Sequence, residues 1–477
     1  MIPLSVWMAL SPALAADVSI RVGDDIAALT SSLRPGDRVL FEPGTYDLEA
    51  TVTWTGVGTE EEPIVIKPNG EGEVIFNNLH GGWGVRVTDS SWISIEDLTV
   101  QGNEDDYGEP SGSGIEIYNS TAITLTESRF VDLNGDGIRI NADCRDLLIE
   151  HNEVANLANG TGIHMGCGDA SCWLQDSLIA NNLVHDVQYT AIYLQPGTQN
   201  VEVVDNVVFR ADRGAYLGPT ELGPANRFEG NAIWQTEGDC VAIEGTAIVR
   251  NNVLFECGDD GIYTHNNDRD GLVEVVISHN TVARTDGYGA DLTDAYNSPG
   301  FVFANNVIAN PTGYGLSWED EYETYGVESD NYISYNVVTG LVSGFDPLLY
   351  PTFLFPGGGF NDFSGADNFD FYPAQGATIV DRGDTSGEAY IPELDFNGIP
   401  REGNAPDVGA YEWDGADNPG WVIQEDFKQT GAVASSNRTD LGSGGCCGGG
   451  GGGGDQGLLF LPVAVFAAGL RRRATRA

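Results

Sequence analysis

Lysine is nearly absent: Lys67 and Lys428 are the only two among 477 residues, and Lys plus Arg number 22 against 71 Asp plus Glu. The resulting net charge of −49 repels nucleic acid and anionic membrane surfaces, which excludes both as partners. It repels anionic polysaccharides too, unless cations bridge them. From residue 68 to residue 427 no lysine is available as a catalytic base. No apolar run approaches the roughly 20 residues of a membrane-spanning helix, and no Cys or His spacing resembles a zinc site. Helical periodicity is confined to a short N-terminal stretch. A lysine-poor, acidic surface fits a salt-rich habitat.

What the chain has instead is a repeat. Asn152, Asn182, Asn206, Asn231, Asn252, Asn280, Asn306 and Asn336 each open the pattern Asn, any residue, then Val, Ile or Leu, at spacings of 30, 24, 25, 21, 28, 26 and 30 residues. A period in the twenties with a variable remainder marks a solenoid whose coils carry loops of different length. Each coil has a second anchor, a small residue before an alternating strand: Gly114-Ile115-Glu116-Ile117, Gly137-Ile138-Arg139-Ile140, Gly162-Ile163-His164-Met165, Ala191-Ile192-Tyr193-Leu194, Gly261-Ile262-Tyr263-Thr264. Alternation with period two over short strands predicts stacked parallel strands. The expected fold class is all-β, a single-stranded right-handed parallel β-helix with an N-terminal cap. The asparagines are read as structural, stacked at one corner of successive coils and satisfying backbone groups there.

The chain divides into a signal peptide (1–15), an N-terminal cap and first coil (16–63), β-helix repeats (64–345), a closing segment (346–413), a flexible glycine-rich stalk (414–457) and an apolar sorting tail with an arginine cluster (458–477). Ile2 to Leu10 is a short apolar run and Ala13-Leu14-Ala15 a cleavage site, which predicts secretion. Ile26, Leu29 and Leu33 have the spacing of a capping helix, which would block edge-to-edge pairing of the first coil. Of the five cysteines outside the tail, Cys167 and Cys172 flank one loop and are the disulfide candidate for an oxidising compartment. The odd count leaves a free thiol, and Cys240 and Cys257 are read as buried small hydrophobes.

Register fixes which side chains face outward. If Ile115, Ile138, Ile163, Ile192, Ala215, Val241, Ile262, Ala290 and Leu316 point inward, the next residue in every coil points to solvent. That outward column reads Glu116, Arg139, His164, Tyr193, Tyr216, Ala242, Tyr263, Asp291, Ser317. The column two before the anchor includes Asp136, Arg213, Asp239 and Asp260, and the column three after it includes Glu244 and His265. Aromatic rings stack on sugar rings while Arg, His and Asp hydrogen-bond hydroxyls. Asp136, Tyr216, Tyr263 and His265 are therefore candidate substrate-binding residues, against the alternative of a cross-strand ladder that only stabilises the sheet.

Two chemistries fit. Removal of the proton beside a uronate carboxyl needs a cation and a base, and Arg139, His164, Tyr193 and Arg213, on four consecutive coils, could supply them. Alternatively, Asp239 and Asp260 occupy neighbouring coils, as two cooperating carboxyl groups would. Ca²⁺ is a candidate cofactor through Asn103-Glu104-Asp105-Asp106 or Glu319-Asp320-Glu321, though neither has a defined ligand pattern.

Several segments resemble known families. Pro35-Gly36-Asp37, Pro43-Gly44-Thr45-Tyr46 and Glu62-Pro63-Ile64-Val65-Ile66 resemble the opening of secreted right-handed β-helix polysaccharide lyases of the pectate-lyase-like type, which implies the fold over about 45 residues. Gly344-Phe345-Asp346-Pro347, Asp381-Arg382-Gly383-Asp384, Asp395-Phe396-Asn397-Gly398-Ile399-Pro400-Arg401 and Asp407-Val408-Gly409-Ala410-Tyr411-Glu412 resemble the closing segment of bacterial surface β-helix proteins. Gly238-Asp239-Cys240-Val241-Ala242-Ile243 and Gly258-Asp259-Asp260-Gly261-Ile262 resemble a segment of polygalacturonase-like glycosidases. That family's Asn-Thr-Asp, Gly-His-Gly and Arg-Ile-Lys motifs are missing, as is the Asp-Pro-His motif of alginate epimerases. Glycines around Cys446-Cys447, the apolar stretch Leu458–Leu470 and Arg471-Arg472-Arg473 resemble the C-terminal sorting tags of myxobacteria-type surface proteins. The resemblance implies a membrane sorting protease as partner and anchoring through Cys446 or Cys447, although the run of seven glycines after the cysteines is longer than such tags usually carry. The expectation is a secreted, monomeric protein of the outer surface whose partner is a polysaccharide and which, if an enzyme, acts as a lyase or epimerase. The other readings are a non-catalytic adhesion or surface-layer protein and a polygalacturonase-like hydrolase.

Overall fold

In the computed structural model the described residues are 15–429, apart from 103–111, 169–170, 220–222, 266–271, 293–294, 296–297, 319–330, 345–353, 358, 387–389 and 402–404. The proposed signal peptide (all but its last residue), the sorting tail with Cys446 and Cys447, and both acidic loops suggested for Ca²⁺ lie outside them. Strands stack in parallel into a sheet of 14 strands and a second of 23. One coil runs Leu174–Ala180, turns at Asn181 and Asn182, and continues as Leu183–Leu194, whose register shifts after Val187. That break splits the larger sheet into two faces, so each coil has three. The inward anchor column pairs coil by coil from Val52 through Val85, Ile115, Ile138, Ile163, Ile192, Ala215, Val241, Ile262, Ala290 and Leu316 to Val342. A single apolar core runs from Ile20 to Val338.

The small residue before each anchor is a packing requirement. A Cβ at Gly137 would lie 2.4 Å from Cγ1 of Val154, and one at Gly261 would lie 2.2 Å from Cγ1 of Val282. The backbone there presses on an inward side chain of the preceding strand, one coil along. Cys240 occupies this column and is joined to Cys257 by a disulfide, with the Cα atoms 5.4 Å apart. The expectation that these two cysteines are only small hydrophobes is therefore wrong: separated by 17 residues in sequence, they meet across one coil. Cys167 pairs with Cys172 and Cys144 is the buried free thiol.

The asparagine corner does what its repeat implies. Residues before the ladder asparagines take left-handed backbone angles, such as His151, Asn181, Asp205 and His279 with φ between 50 and 56°. This bends the chain sharply and turns backbone groups inward. Asn206, fully buried, donates its Nδ2–H to Ile179 O (2.9 Å) and to Asn231 Oδ1 (3.0 Å), while its own main-chain N–H donates to Asn231 Oδ1 (2.9 Å). The same bonds recur from Asn152 to Asn336.

Two expectations about the ends need correction. The capping helix is one turn, Ile26–Leu29, because Asp25 caps it late and Thr30 closes it; Ile26 and Leu33 join the core, whereas Leu29 is exposed. At the other end residues 414–429 do not behave as a stalk. The outward side chains His185, Phe209, Trp234 and Phe255 stack at 4.7, 4.8 and 5.5 Å between successive ring centroids. A layer from Phe360 to Phe427, including Phe371, Tyr411 and Trp421, packs against this face. Buried Lys428 donates to Asp205 Oδ1 (2.9 Å) and Gly230 O (2.7 Å). Arg401 bolts the layer down, donating to Asn251 Oδ1 (2.8 Å), Gly409 O (2.9 Å) and Glu412 Oε2 (3.2 Å). A stretch without apolar periodicity packs here because its few aromatics fill gaps between outward rings of the coils.

Candidate functional site

The closing layer covers the outward side of the strands that follow the asparagine corner. The outward column after the small-residue anchor carries the candidate residues. Its register is Arg86, Glu116, Arg139, His164, Tyr193, Tyr216, Ala242, Tyr263, Asp291, Ser317. Neighbours in it are one coil apart, about 4.8 Å.

The cationic end forms a network. His164 Nδ1 lies 3.1 Å from Asp136 Oδ2 and also meets the Arg139 guanidinium. Arg139 donates to Gly166 O (3.2 Å) and stands 3.8 Å from Asp136, while the Thr161 N–H donates to Asp136 Oδ1 (2.9 Å). Burial pushes the Asp136 carboxyl up, but bonds from His164 and Thr161 and the nearby positive charges outweigh it, leaving it below the usual carboxylate range. Burial lowers the Arg139 guanidinium, partly offset by Asp136 and Glu116. The His164 ring stacks on Tyr193 at 4.9 Å, and Tyr193 meets Tyr216 edge to face at 4.9 Å. Four of the sequence-selected residues thus touch in a chain with Tyr216.

Arg213 belongs to a different group. Its guanidinium faces Asp239 at 3.3 Å. Carboxylate oxygens of Asp239, Asp259 and Asp260 all lie within 4.8 Å of one another. Asp260 Oδ1 accepts the Tyr288 N–H at 2.6 Å. Burial, followed by the charges of Asp291, Asp259 and Asp239, pushes the Asp260 carboxyl up to about 7 despite that bond. Burial also raises Asp239, and Arg213 only partly compensates. Crowded buried carboxylates relieve their repulsion by holding a proton or a hard cation. The oxygen donors suit Ca²⁺, with Arg213 competing for Asp239. The Cys240–Cys257 disulfide sits beside this cluster in sequence and ties the two acid-bearing coils together.

Tyr263 and His265 lie further along, with the phenol oxygen 3.0 Å from His265 Nδ1. Sequence reasoning missed Arg86, whose Nε is 2.5 Å from Glu116, although extending the column by one coil would have found it. It also passed over Asp259 and a cleft of about 530 Å³ where the two faces of the larger sheet meet, lined by Asp186, Gln188, Arg210, Asp212, Gln235 and Glu237 among others. The cleft residues belong to no repeated motif, which left no signal to follow.

The sequence matches the family described as right handed beta helix region over residues 44–172, 83–247 and 178–338. No curated protein matches it closely enough to count as a relative. Among solved structures it is similar to pectate lyase Pel9A, at 14% identity and a TM-score of 0.50, over 84% of this chain and 97% of that one. It is also similar to an alginate lyase from Paenibacillus sp. str. FPU-7 (15% identity, TM-score 0.44, 69% of this chain and 97% of that one). A third is a mannuronic acid specific polysaccharide family 6 lyase from human gut microbiota (13%, 0.45, 70% and 88%). At these identities the likeness is one of fold. With coils of parallel strands, a buried asparagine corner and a match reaching from residue 44 to residue 338, this chain belongs to the right-handed β-helix family.

Proposed function

We propose that this protein acts on a polysaccharide laid along the outward row from Arg139 to His265, as a lyase or epimerase for uronate chains. The observation that carries the reading is the contact network of Asp136, Arg139, His164 and Tyr193 on that row. In it His164, oriented by Asp136, takes the proton beside the uronate carboxylate, and Arg139 and Arg213 meet the carboxylate charge. The electron pair left on carbon expels the glycosidic oxygen, which leaves protonated, and an unsaturated sugar remains; an epimerase instead returns a proton to the opposite face. The pectate and alginate lyases of similar fold support a polysaccharide as the partner.

A second reading has one observation of its own. Asp239 and Asp260 present oxygens within 4.8 Å of each other, and a carboxyl near 7 can serve as a general acid. A hydrolase of this kind would lose activity as pH rises above about 7. Ca²⁺ held by Asp239, Asp259 and Asp260 would bridge uronate to this acidic end. Two disulfides suit an extracellular site, and surface anchoring through Cys446 or Cys447 belongs to the same proposal. The test is incubation with uronate and neutral polysaccharides, with Ca²⁺ or a chelator. Unsaturated product is read by ultraviolet absorbance and new reducing ends chemically. Loss of unsaturated product in His164→Ala supports the lyase. Reducing ends without unsaturation, abolished in Asp260→Asn, select the hydrolase. Silence in both channels leaves a non-catalytic surface protein.

A further inference from the structure

The outward row loses height at one place. In register it reads His164, Tyr193, Tyr216, Ala242, Tyr263, so one alanine stands between two tyrosines. Tyr216 and Tyr263 are two coils apart, about 9.6 Å. A ring held in van der Waals contact with an aromatic face on each side needs about 7–8 Å. The gap therefore has the thickness of one sugar ring.

Both tyrosines are drawn elsewhere. The Tyr216 ring packs on Tyr193, one coil away from Ala242 on the opposite side. Tyr263 reaches along its own strand to His265. The Ala242 methyl forms the floor of the gap, 2% exposed beneath its taller neighbours. On the same strand Asp239 closes one end and Glu244 the other, at 6% and 7% exposure. Glu244 has no hydrogen-bond or ion-pair partner among the described residues. A buried carboxylate without a donor is costly, and a sugar hydroxyl is the donor such a place would take. Arg213 Nε, buried beside Asp239, likewise has no hydrogen-bond acceptor among the described residues.

We infer that Ala242 opens a subsite for a single pyranose ring, flanked by Tyr216 and Tyr263, with Glu244 accepting a bond from one of its hydroxyls. The inference rests on the polysaccharide reading above. It adds the residue that decides whether a ring enters. A tyrosine at position 242 would continue the aromatic row, which the sheet tolerates, and would fill the gap.

The experiment is native affinity electrophoresis of the full chain through gels containing polygalacturonate, alginate or galactomannan, each with Ca²⁺. Wild type, Ala242→Tyr, Ala242→Thr and Glu244→Gln are compared, with thermal unfolding as the check on folding. The expected result is retardation of wild type by at least one polymer. Ala242→Thr should stay within about threefold, and Ala242→Tyr should weaken at least about tenfold with its melting temperature unchanged. Equal retardation of wild type and Ala242→Tyr overturns the subsite and leaves polysaccharide binding standing. If no polymer retards wild type, both fall. Should Ala242→Tyr fail to fold, Glu244→Gln decides, since unchanged retardation there also overturns the subsite.

Discussion

Replacing Asn231 by alanine removes one rung from the middle of the buried corner. Asn231 Oδ1 accepts the main-chain N–H of Asn206 at 2.9 Å and its Nδ2–H at 3.0 Å, and Asn231 Nδ2 donates to Val203 O and Asn252 Oδ1, both at 3.0 Å. The side chain of Asn206 keeps its bonds to Ile179 O and Val204 O. Its main-chain N–H does not, and Val203 O loses its side-chain donor. Each stranded buried group costs about 1–3 kcal/mol, so the substitution should destabilise this corner by about 2–5 kcal/mol. Asn156 supplies the control, since its one side-chain bond, to Asp132 Oδ1 at 3.0 Å, is exposed; Asn156→Ala should change stability by less than about 0.5 kcal/mol. Because coils in a solenoid can open separately, the assay is native-state hydrogen exchange of the Asn206 amide, supported by the urea midpoint. Faster exchange at Asn206 in Asn231→Ala, and not in Asn156→Ala, is expected. An unchanged Asn206 amide with an unchanged midpoint would refute the structural role of the ladder.

Arg401→Met should detach the closing layer, because it leaves Glu412 buried without its cation, a loss of about 3–5 kcal/mol; limited proteolysis within residues 360–428 reads it, and resistance equal to wild type contradicts the bolt. Burial raises Glu412 to about 7 and Asp407 to about 6. The folded state therefore binds these protons more tightly than the unfolded chain does. Their contribution is full below about pH 4 and is lost as pH rises through 6 to 7. The melting temperature should fall between pH 5 and pH 8, less steeply in Glu412→Gln; equal slopes would remove Glu412 as the cause. Reducing the Cys240–Cys257 bridge, whose sequence separation is 17, should cost about 3 kcal/mol by loop entropy. Cys240→Ala with Cys257→Ala, unfolded in urea, checks this, and an unshifted midpoint would show that the bridge adds nothing.

The architecture was legible because each coil writes the same constraints again. Asparagine recurs where a left-handed turn leaves backbone groups to satisfy, and glycine recurs where a Cβ would strike the neighbouring strand. From those two markers the inward and outward columns follow by alternation, and the structure pairs them as counted. Contacts between columns were less accessible. Arg213 was grouped with Arg139 and His164 by chain order, yet it turns to Asp239, because a long side chain at the bend is drawn to the nearest buried carboxylate. Cys240 and Cys257 looked unrelated because neither shares the other's place in the repeat.

By itself the sequence determined the parallel coil, its corner and the order of side chains along the open row, since all three depend on local spacing. Only the tertiary structure decided which outward face is open. The aromatic row from His185 to Phe255 is as outward-facing in sequence as the row from His164 to Tyr263, but residues 360–428 cover it. That choice rests on contacts between segments up to about two hundred residues apart, such as Lys428 with Asp205. Such contacts are set by shape and charge once the coil exists, and they leave no periodic trace in the chain.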